Sequence, residues 1–585
     1  MFQLGRHVPQ FFGISLVGHS QNKATYQFAH WLFGRALGLV SVIAFLSYWS
    51  QADALIGTDG IKPWKEDLQF IEELTAVQEN PAKKWSIRPT LLWIQPLANH
   101  HLLFAFGTIA AVLLTLGVLP FASAIVSYAC YLSLMVVGEP FLSFQWDILL
   151  TETLLLSLFF LPITRFHHLL KPLRVSSFGR LLLLGLLAKL MLESGLVKFT
   201  YFAGDGTNTW RDLTALNFHY WTQPLPHSWS PWIHSLPAWF DRISLYWMYA
   251  VELLLPFFLF LPGRLRRVGL FGQILLQGII MASGNYGFFN LLTLCLCIPL
   301  VDDQILPDRL SKRLTTPQKK FQSVKSYPKI CLIALTSFLF ASTTLAHLVN
   351  DFRGNQPAEK SSFVLPGWVL RMHEQVRIFR SFNSYGLFRV MTTTRPEIII
   401  EGSKDGKTWQ TYEFAWKPSR ENQPLHFTGP HMPRIDWQMW FEGLNFENYS
   451  GHPFSRFLYG RFLQMKVEGK ENSFFSNLAE VLGEKEFQAL QQATPEIQKQ
   501  AISNYNQMMQ TFMNRSSWFG NLLHAMGEDR SCVLEKLSDS NPIKFKPSFL
   551  RISLYHFSFS KEKNKIWETE KIPGASFVLT VPNDF

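Results

Sequence analysis

The stretch LLLLGLLAKLMLESGLVKFT, Leu181–Thr200, decides the fold. A membrane helix needs about 17–25 mostly apolar residues, and this run meets that length while carrying Lys189, Glu193 and Lys198. An ionisable group inside a membrane is costly and usually faces the protein interior beside a partner. Lys189 and Glu193 stand four apart, on one helical face, so the spacing predicts that they pair, with Glu252 as a second acceptor. The chain then runs through GDGTNTWRDLTALNFHYWTQP, Gly204–Pro224, and re-enters an apolar segment near Tyr246–Leu261 with Glu252 at its middle. Charged groups gathered around one polar, aromatic loop predict a site rather than a simple anchor.

Outward from this core, further apolar runs read as spans: Trp31–Trp49, His101–Leu119, Phe121–Gly138, Ile148–Pro162, Leu245–Leu261, Val268–Ser283, Phe288–Val301 and Ile330–His347. With the central one they predict a polytopic α-helical bundle of about eight or nine spans within residues 1–350. Residues 48% hydrophobic with a mean hydropathy of only +0.08 fit a membrane part joined to a soluble part. The net charge of +11 sits largely in loops, and no basic stripe with interleaved aromatics points to nucleic acid. Arg165, Lys171, Arg174 and Arg180 fall in one loop, Arg264, Arg266 and Arg267 in another, and Arg309, Lys312, Arg313, Lys319, Lys320 and Lys325 in a third. Basic loops mark the cytoplasmic side, which puts the N-terminus inside and Gly204–Pro224, the 51–99 loop and residues 351–585 outside. Arg6 and His7 precede only the short run 11–17, so the first long segment is expected to be an uncleaved helix.

Past a linker at Arg353–Lys360 the pattern changes to short alternating strands at Leu387–Met391, Glu397–Glu401 and Thr408–Phe414, with Asp405-Gly406 as a hairpin turn. A helical portion over Phe454–Met526 follows, and strands return at Leu550–Phe559 and Ser576–Thr580. The expectation is a β-rich extracytoplasmic domain with a helical insertion. Cys130, Cys295, Cys297 and Cys331 lie in apolar segments and Cys532 stands alone in the soluble part, so no disulfide framework is expected. His100-His101 and His167-His168 lack ligand spacing and an adjacent acid, so no metal site is expected. No phosphate loop, dinucleotide fingerprint or nucleophile elbow occurs, and no cofactor is predicted.

The ordered motifs resemble the lipase maturation factor family. The Phe141–Asp147 block, FLSFQWD, is followed by Leu149, Leu150 and Glu152. Gly195-Leu196-Val197-Lys198 and Trp210-Arg211-Asp212-Leu213-Thr214 continue the pattern, as do His219-Tyr220, Thr222-Gln223-Pro224, Glu252-Leu253 and Ser283-Gly284-Asn285. Arg35–Gly38, Gly57–Ile61, Ile435–Phe441 and Arg551–Phe557 extend the resemblance over nearly the whole chain. It implies a membrane-embedded, chaperone-like maturation factor that assists secreted lipases. It would sit in the endoplasmic reticulum membrane in animals, or in a bacterial inner membrane with its C-terminal domain in the periplasm. The bundle is more distantly similar to vitamin K-dependent gamma-glutamyl carboxylase, where a lysine in a matching G-x-x-K is implicated as catalytic base; Lys198 occupies that place. Thr209 stands where animal members carry a cysteine, and Asn217 where the family often has aspartate, which puts a redox role in doubt.

Two readings of the polar residues stay open. In one, Gln145, Trp146, Asp147 and Glu152 converge with Lys198, Asp212 and His219 on an acid–base cluster at the outer face, with Lys198 as general base. Trp210, Arg211, Tyr220, Gln223, Glu252 and Asn285 would complete this functional motif. In the other they are structural: Lys198 snorkels to the interface, Asp147 or Asp212 caps a helix end, and Arg211-Asp212 is a local ion pair. Trp437, Trp440 and Phe441 read as core, with an exposed client-binding patch as the alternative. A folding and assembly factor, without required catalysis, is the expectation; a membrane enzyme acting on lipid or protein is the alternative.

Overall fold

The computed structural model describes residues 25–171, 173–314, 327–355, 366–469, 488, 491–562 and 564–582. Arg6, His7, Lys319, Lys320, Lys325 and the end of the expected linker lie outside the described residues. The first half is helical. Among the described residues four helices are long and apolar enough to cross a membrane: Gln27–Trp49, Pro120–Val137, Arg264–Ser283 and Ile330–Arg353. His100–Leu116 and Phe289–Leu300 are apolar but shorter.

The central helix runs Ser177–Thr200, and its Lys189, Glu193 and Lys198 are all buried. Ser176 starts it, its Oγ accepting from the Gly179 N–H at 3.0 Å. Asn208 finishes it. The Asn208 amide donates to the carbonyls of Lys198 and Tyr201, at 3.1 and 2.9 Å, while its Oδ1 accepts the N–H groups of Trp210 and Arg211. One side chain thus takes up carbonyls left without a partner at the helix end and sets the path of the following loop.

The expected sixth span is broken. Ala238–Tyr249 is α-helical, Ala250–Leu254 forms a π turn, and Leu255–Phe258 resumes the α-helix. Pro256 has no N–H to give an α-helical ladder, and a π turn absorbs the register change. Glu252 sits in that turn.

Among the described residues the C-terminal sheet has four antiparallel strands: β1 (Pro396–Ser403), β2 (Gln410–Thr411), β3 (Phe549–Phe559) and β4 (Trp567–Thr580), in the order β2-β1-β3-β4. Ile400 faces Ile552 across the β1–β3 ladder. Successive side chains of β1 enter different clusters. Ile398 and Ile400 join the main core, and Ile399 packs with Leu425, Phe557 and Trp567, as a strand covered on both faces must. The Asp405 turn is as expected: its carboxylate accepts the N–H groups of Lys407 and Thr408, and Gly406 takes φ +69°.

Three sequence expectations are corrected. Leu387–Met391 is not a strand; it is a loop with Phe388 at φ +54°, and Met391 packs with Trp210, Ala215 and Leu245. Of Thr408–Phe414 only Gln410–Thr411 pairs, because the Phe414 N–H turns to Ser419 Oγ. Aromatic residues 437–441 belong to an additional helix, Arg434–Ser450, ahead of the helices Pro453–Val467 and Pro495–Gly527.

Glu442 of that helix is fully buried and accepts the Tyr459 hydroxyl. Burial pushes its carboxyl up from 4.5 to about 7, against hydrogen bonds that pull it down. The folded protein therefore binds this proton more tightly than the unfolded chain. Its contribution to stability is full below pH 4.5, falls between pH 4.5 and 7 and then levels off; the loss corresponds to about 3 kcal/mol. Glu442→Gln, which keeps the acceptor for Tyr459, should raise the melting temperature in detergent at pH 8 and leave it unchanged at pH 4. Equal shifts at both pH values would reject this assignment.

Candidate functional site

Lys189 does not pair with Glu193. Its Nζ donates to Glu152 Oε1 at 3.0 Å, with both groups sealed from solvent. Glu152 Oε2 also accepts the Asn383 N–H at 3.0 Å and the Tyr385 hydroxyl at 2.8 Å. Glu193 Oε2 instead accepts the Tyr385 N–H at 2.7 Å. Side chains four apart share a helix face, but each pairs with the complementary group of the element that lies against it. Here the neighbours are the helix Gln145–Ser157, which brings a carboxylate, and the 383–385 segment, which brings N–H groups.

Asp147 is not a helix cap. It is held by the Arg434 guanidinium in a two-pronged ion pair, Nη1 to Oδ2 at 2.7 Å and Nη2 to Oδ1 at 2.8 Å, with a third hydrogen bond from Tyr131 at 2.6 Å. Asp147 and Arg434 are both fully buried. Arg434 Nη1 also reaches the Phe141 carbonyl at 2.8 Å. Next to it Gln145 Oε1 accepts the Gly386 N–H, and Trp146 meets Trp437 edge-on at 4.9 Å. The FLSFQWD block is thus a receptor for residues of the C-terminal half.

The same holds for the end of the Gly204–Pro224 loop. Arg395 donates to the carbonyls of Trp221, Gln223 and Pro224, and the Trp440 indole donates to the Thr222 carbonyl at 2.7 Å. Asn285 donates to the carbonyls of Leu225 and His426 and accepts the Thr428 N–H. Trp437 and Trp440 are buried and Phe441 stacks on Phe144 at 5.6 Å. The alternative of an exposed client patch at these three residues is therefore corrected: their helix is enclosed between the sheet and the bundle, and its aromatics are internal contacts.

Lys198 does not snorkel. Its Nζ lies 2.8 Å from both oxygens of Glu252, and both residues are buried. Gly195 lets the two helices approach: a Cβ there would come within 2.9 Å of the Glu252 Cβ. The pair forms one end of a cavity of about 370 Å³, whose other walls include His219, Tyr220, Leu245, Leu276 and Phe388. Trp210 lies under Lys198 and donates its indole N–H to the Phe388 carbonyl at 2.9 Å. Tyr220 donates to Asp241 at 2.9 Å. The Gln223 amide nitrogen faces the carbonyls of Tyr220 and Ser283, so its oxygen accepts the Tyr286 hydroxyl; Tyr286 in turn receives the His219 Nε2–H. That tautomer leaves His219 Nδ1 as an acceptor with no partner among the described residues. Burial, then the Lys198 charge, pushes His219 down to about 4, so the imidazole is neutral at physiological pH.

The expected single cluster is thus resolved into three separate sites: Asp147 with Arg434, Glu152 with Lys189, and Lys198 with Glu252 beside His219. Asp212 joins none of them. Arg211 and Asp212 are exposed, and Arg211 lies over Phe199 rather than forming the expected local ion pair. Asn208, Asn383, Tyr385, Arg395 and Arg434 were not singled out from sequence. The buried-arginine positions carried a signal, since two arginines flank the predicted strand and the aromatic run.

His100 and His101 do have an acidic partner, supplied by Asp53: each Nε2 lies 3.2 Å from Asp53 Oδ1. Trp64 and Trp49 donate indole N–H groups to the two Nδ1 atoms. An indole only donates, so the proton of each neutral imidazole sits on Nε2 and is given to Asp53. The geometry is a carboxylate clamp, opposite to a metal-ligating histidine, whose free nitrogen usually donates to a second group.

Helices fit to span a membrane, with a mixed α/β C-terminal region held onto the bundle by the buried Asp147–Arg434 pair and by hydrogen bonds, define a helical membrane protein with a docked C-terminal region. Residues 28–308 match the family model of the lipase maturation factor transmembrane domain, and residues 381–472 that of the lipase maturation factor C-terminal domain. The chain belongs to the lipase maturation factor family. It is 31% identical to lipase maturation factor 2 of Xenopus tropicalis over 525 residues, covering 73% of this chain and 72% of that one. It is 32% identical to lipase maturation factor 2 of Rattus norvegicus over 536 residues, 74% of each chain. Lipase maturation factor 1 of Mus musculus is 30% identical over 451 residues, 73% of this chain and 75% of the relative. No solved structure matches the chain.

Proposed function

We propose that this protein is a membrane-embedded maturation factor that holds secreted lipases, or other exported proteins, while they fold and assemble. The observation that carries the reading is the fate of the acid–base candidates. Asp147, Glu152 and Lys198 are each consumed in a buried ion pair; the Asp147–Arg434 pair, with the hydrogen bonds Glu152 accepts from Asn383 and Tyr385, fixes the C-terminal half to the bundle. That is the construction of a rigid platform. Lys198, with its hydrogen bonds taken by both oxygens of Glu252, is placed as an ion-pair partner rather than as an unpaired base. Selective binding of an on-pathway client shifts its population by differential affinity alone, so no catalytic step and no cofactor is invoked.

The reading includes a multi-pass topology of eight or nine spans in residues 1–350 and an extracytoplasmic domain in 351–585. This would place the protein in a bacterial inner membrane with that domain in the periplasm, or in the endoplasmic reticulum membrane of a eukaryote. Contacts at helix ends support it. Arg266 pairs with Asp302 and reaches Tyr26, and Arg180 reaches the Pro299 carbonyl, at one end. At the other end Ser47 and Gln51 bind the 432–434 backbone, and Ser283 meets Gln223.

The test is a strain of the source organism lacking the gene. Secreted lipase should persist in amount but fall in specific activity, and wild-type protein should restore it. Unchanged specific activity would remove lipases as clients.

A further inference from the structure

We propose that the cavity beside the Lys198–Glu252 pair binds the single chain of a neutral, hydroxyl-bearing lipid of the monoacylglycerol class, admitted sideways from the membrane. The inference stands apart from the client reading, since it concerns a ligand of the bundle itself.

Three observations carry it. The first is where the cavity opens. Trp229, Trp232 and Ile279 line it and are 52%, 62% and 41% exposed. Ile279 belongs to the helix Arg264–Ser283, which also exposes Val268, Phe271 and Ile274 along its length. On a membrane helix such a face meets lipid, and tryptophans gather at the membrane interface. The mouth therefore opens onto the bilayer, which supplies the occupant.

The second is the wall. Leu245, Met248, Leu276, Ile280 and Phe289 present apolar side chains around about 370 Å³, a volume in the range of small-molecule sites of this character, apolar with a few convergent polar groups.

The third is the charge at the closed end. Lys198 and Glu252 neutralise each other, and His219 beside them is uncharged at physiological pH. An anionic or cationic head group would bring an unpaired charge into a buried site, which is strongly unfavourable. A hydroxyl fits. The ammonium has three N–H donors and gives two to the oxygens of Glu252. The third can donate to a lipid hydroxyl or ester oxygen, and that hydroxyl can donate in turn to a remaining lone pair of the Glu252 carboxylate.

The test uses full-length protein in detergent and a monoacylglycerol with a diazirine in its acyl chain. After irradiation, labelled peptides are mapped by mass spectrometry. Label is expected within 229–236 and 276–283, and excess unlabelled monoacylglycerol should remove it. Ala282→Trp and, from another wall, Ser244→Trp fill the cavity and should each cut labelling by about tenfold or more; whichever variant keeps the parent melting temperature is the one read. Labelling unaffected by filling and by competitor, or confined to the outer faces of the helices, would overturn the proposal. Competition by a fatty-acid anion equal to that by monoacylglycerol would overturn the neutral head group.

Discussion

Arg434→Met is expected to destabilise the protein by about 3–5 kcal/mol, because it leaves Asp147 as an uncompensated buried charge. The arginine closes both oxygens of Asp147 and the Phe141 carbonyl, so its loss strands a carboxylate and an acceptor together. Tyr131 keeps one hydrogen bond to Asp147, which cannot replace the charge. Arg434→Lys should fall between parent and Met: it keeps the charge but loses the planar fork that matches a carboxylate. Arg434→Met combined with Asp147→Leu should recover much of the loss, since an apolar replacement of a whole buried pair is often tolerated. The measurement is thermal unfolding in detergent, with limited proteolysis of the C-terminal half as a second readout. A loss below about 1 kcal/mol for Arg434→Met, the scale of an exposed pair, would mean that the pair is not buried as described.

What the sequence disclosed, and what it withheld, follows from what spacing can encode. Periodicity tells which side chains share a helix face, so Lys189, Glu193 and Lys198 could be read as inward-facing charges, and all three are buried. It does not tell which element lies opposite. Glu152 is 37 residues from Lys189 and Arg434 is 287 from Asp147, and no local rule connects them. Glu252 was legible as a partner in kind, yet it serves Lys198 rather than Lys189, because the π turn and the close approach at Gly195 set its height. The helix Arg434–Ser450 was hidden for a different reason. It is covered by both sheet and bundle, so apolar residues appear around it instead of along one stripe, and the amphipathic signature is lost. Asp53 was overlooked because the acid that clamps His100 and His101 arrives through space from the short helix Ala52–Ile56, 47 residues before His100. The Asp405-Gly406 turn was readable because all its chemistry is local.

Glu152→Ala should be the other severe lesion, and it separates docking from client binding. The carboxylate is the counter-charge of Lys189 and the acceptor for the Asn383 N–H, the Asn383 amide and the Tyr385 hydroxyl. Truncation strands a buried ammonium and several donors at once, and the expected loss is again about 3–5 kcal/mol. Glu152→Gln, which keeps an acceptor but no charge, should lose less on the Tyr385 side and still leave Lys189 unpaired; adding Lys189→Met should then recover stability. The segment from Arg380 to Phe388 is the hook by which the C-terminal half enters the bundle, through Glu152, Glu193 and Gln145. Its release should therefore show as new protease cleavage near 380–395 before the membrane helices unfold. In the gene-deletion strain, lipase specific activity should follow the docked fraction: low with Glu152→Ala and regained with the Glu152→Gln, Lys189→Met pair. Full lipase activity alongside a cleaved, undocked C-terminal half would show that the platform geometry is not what the client uses.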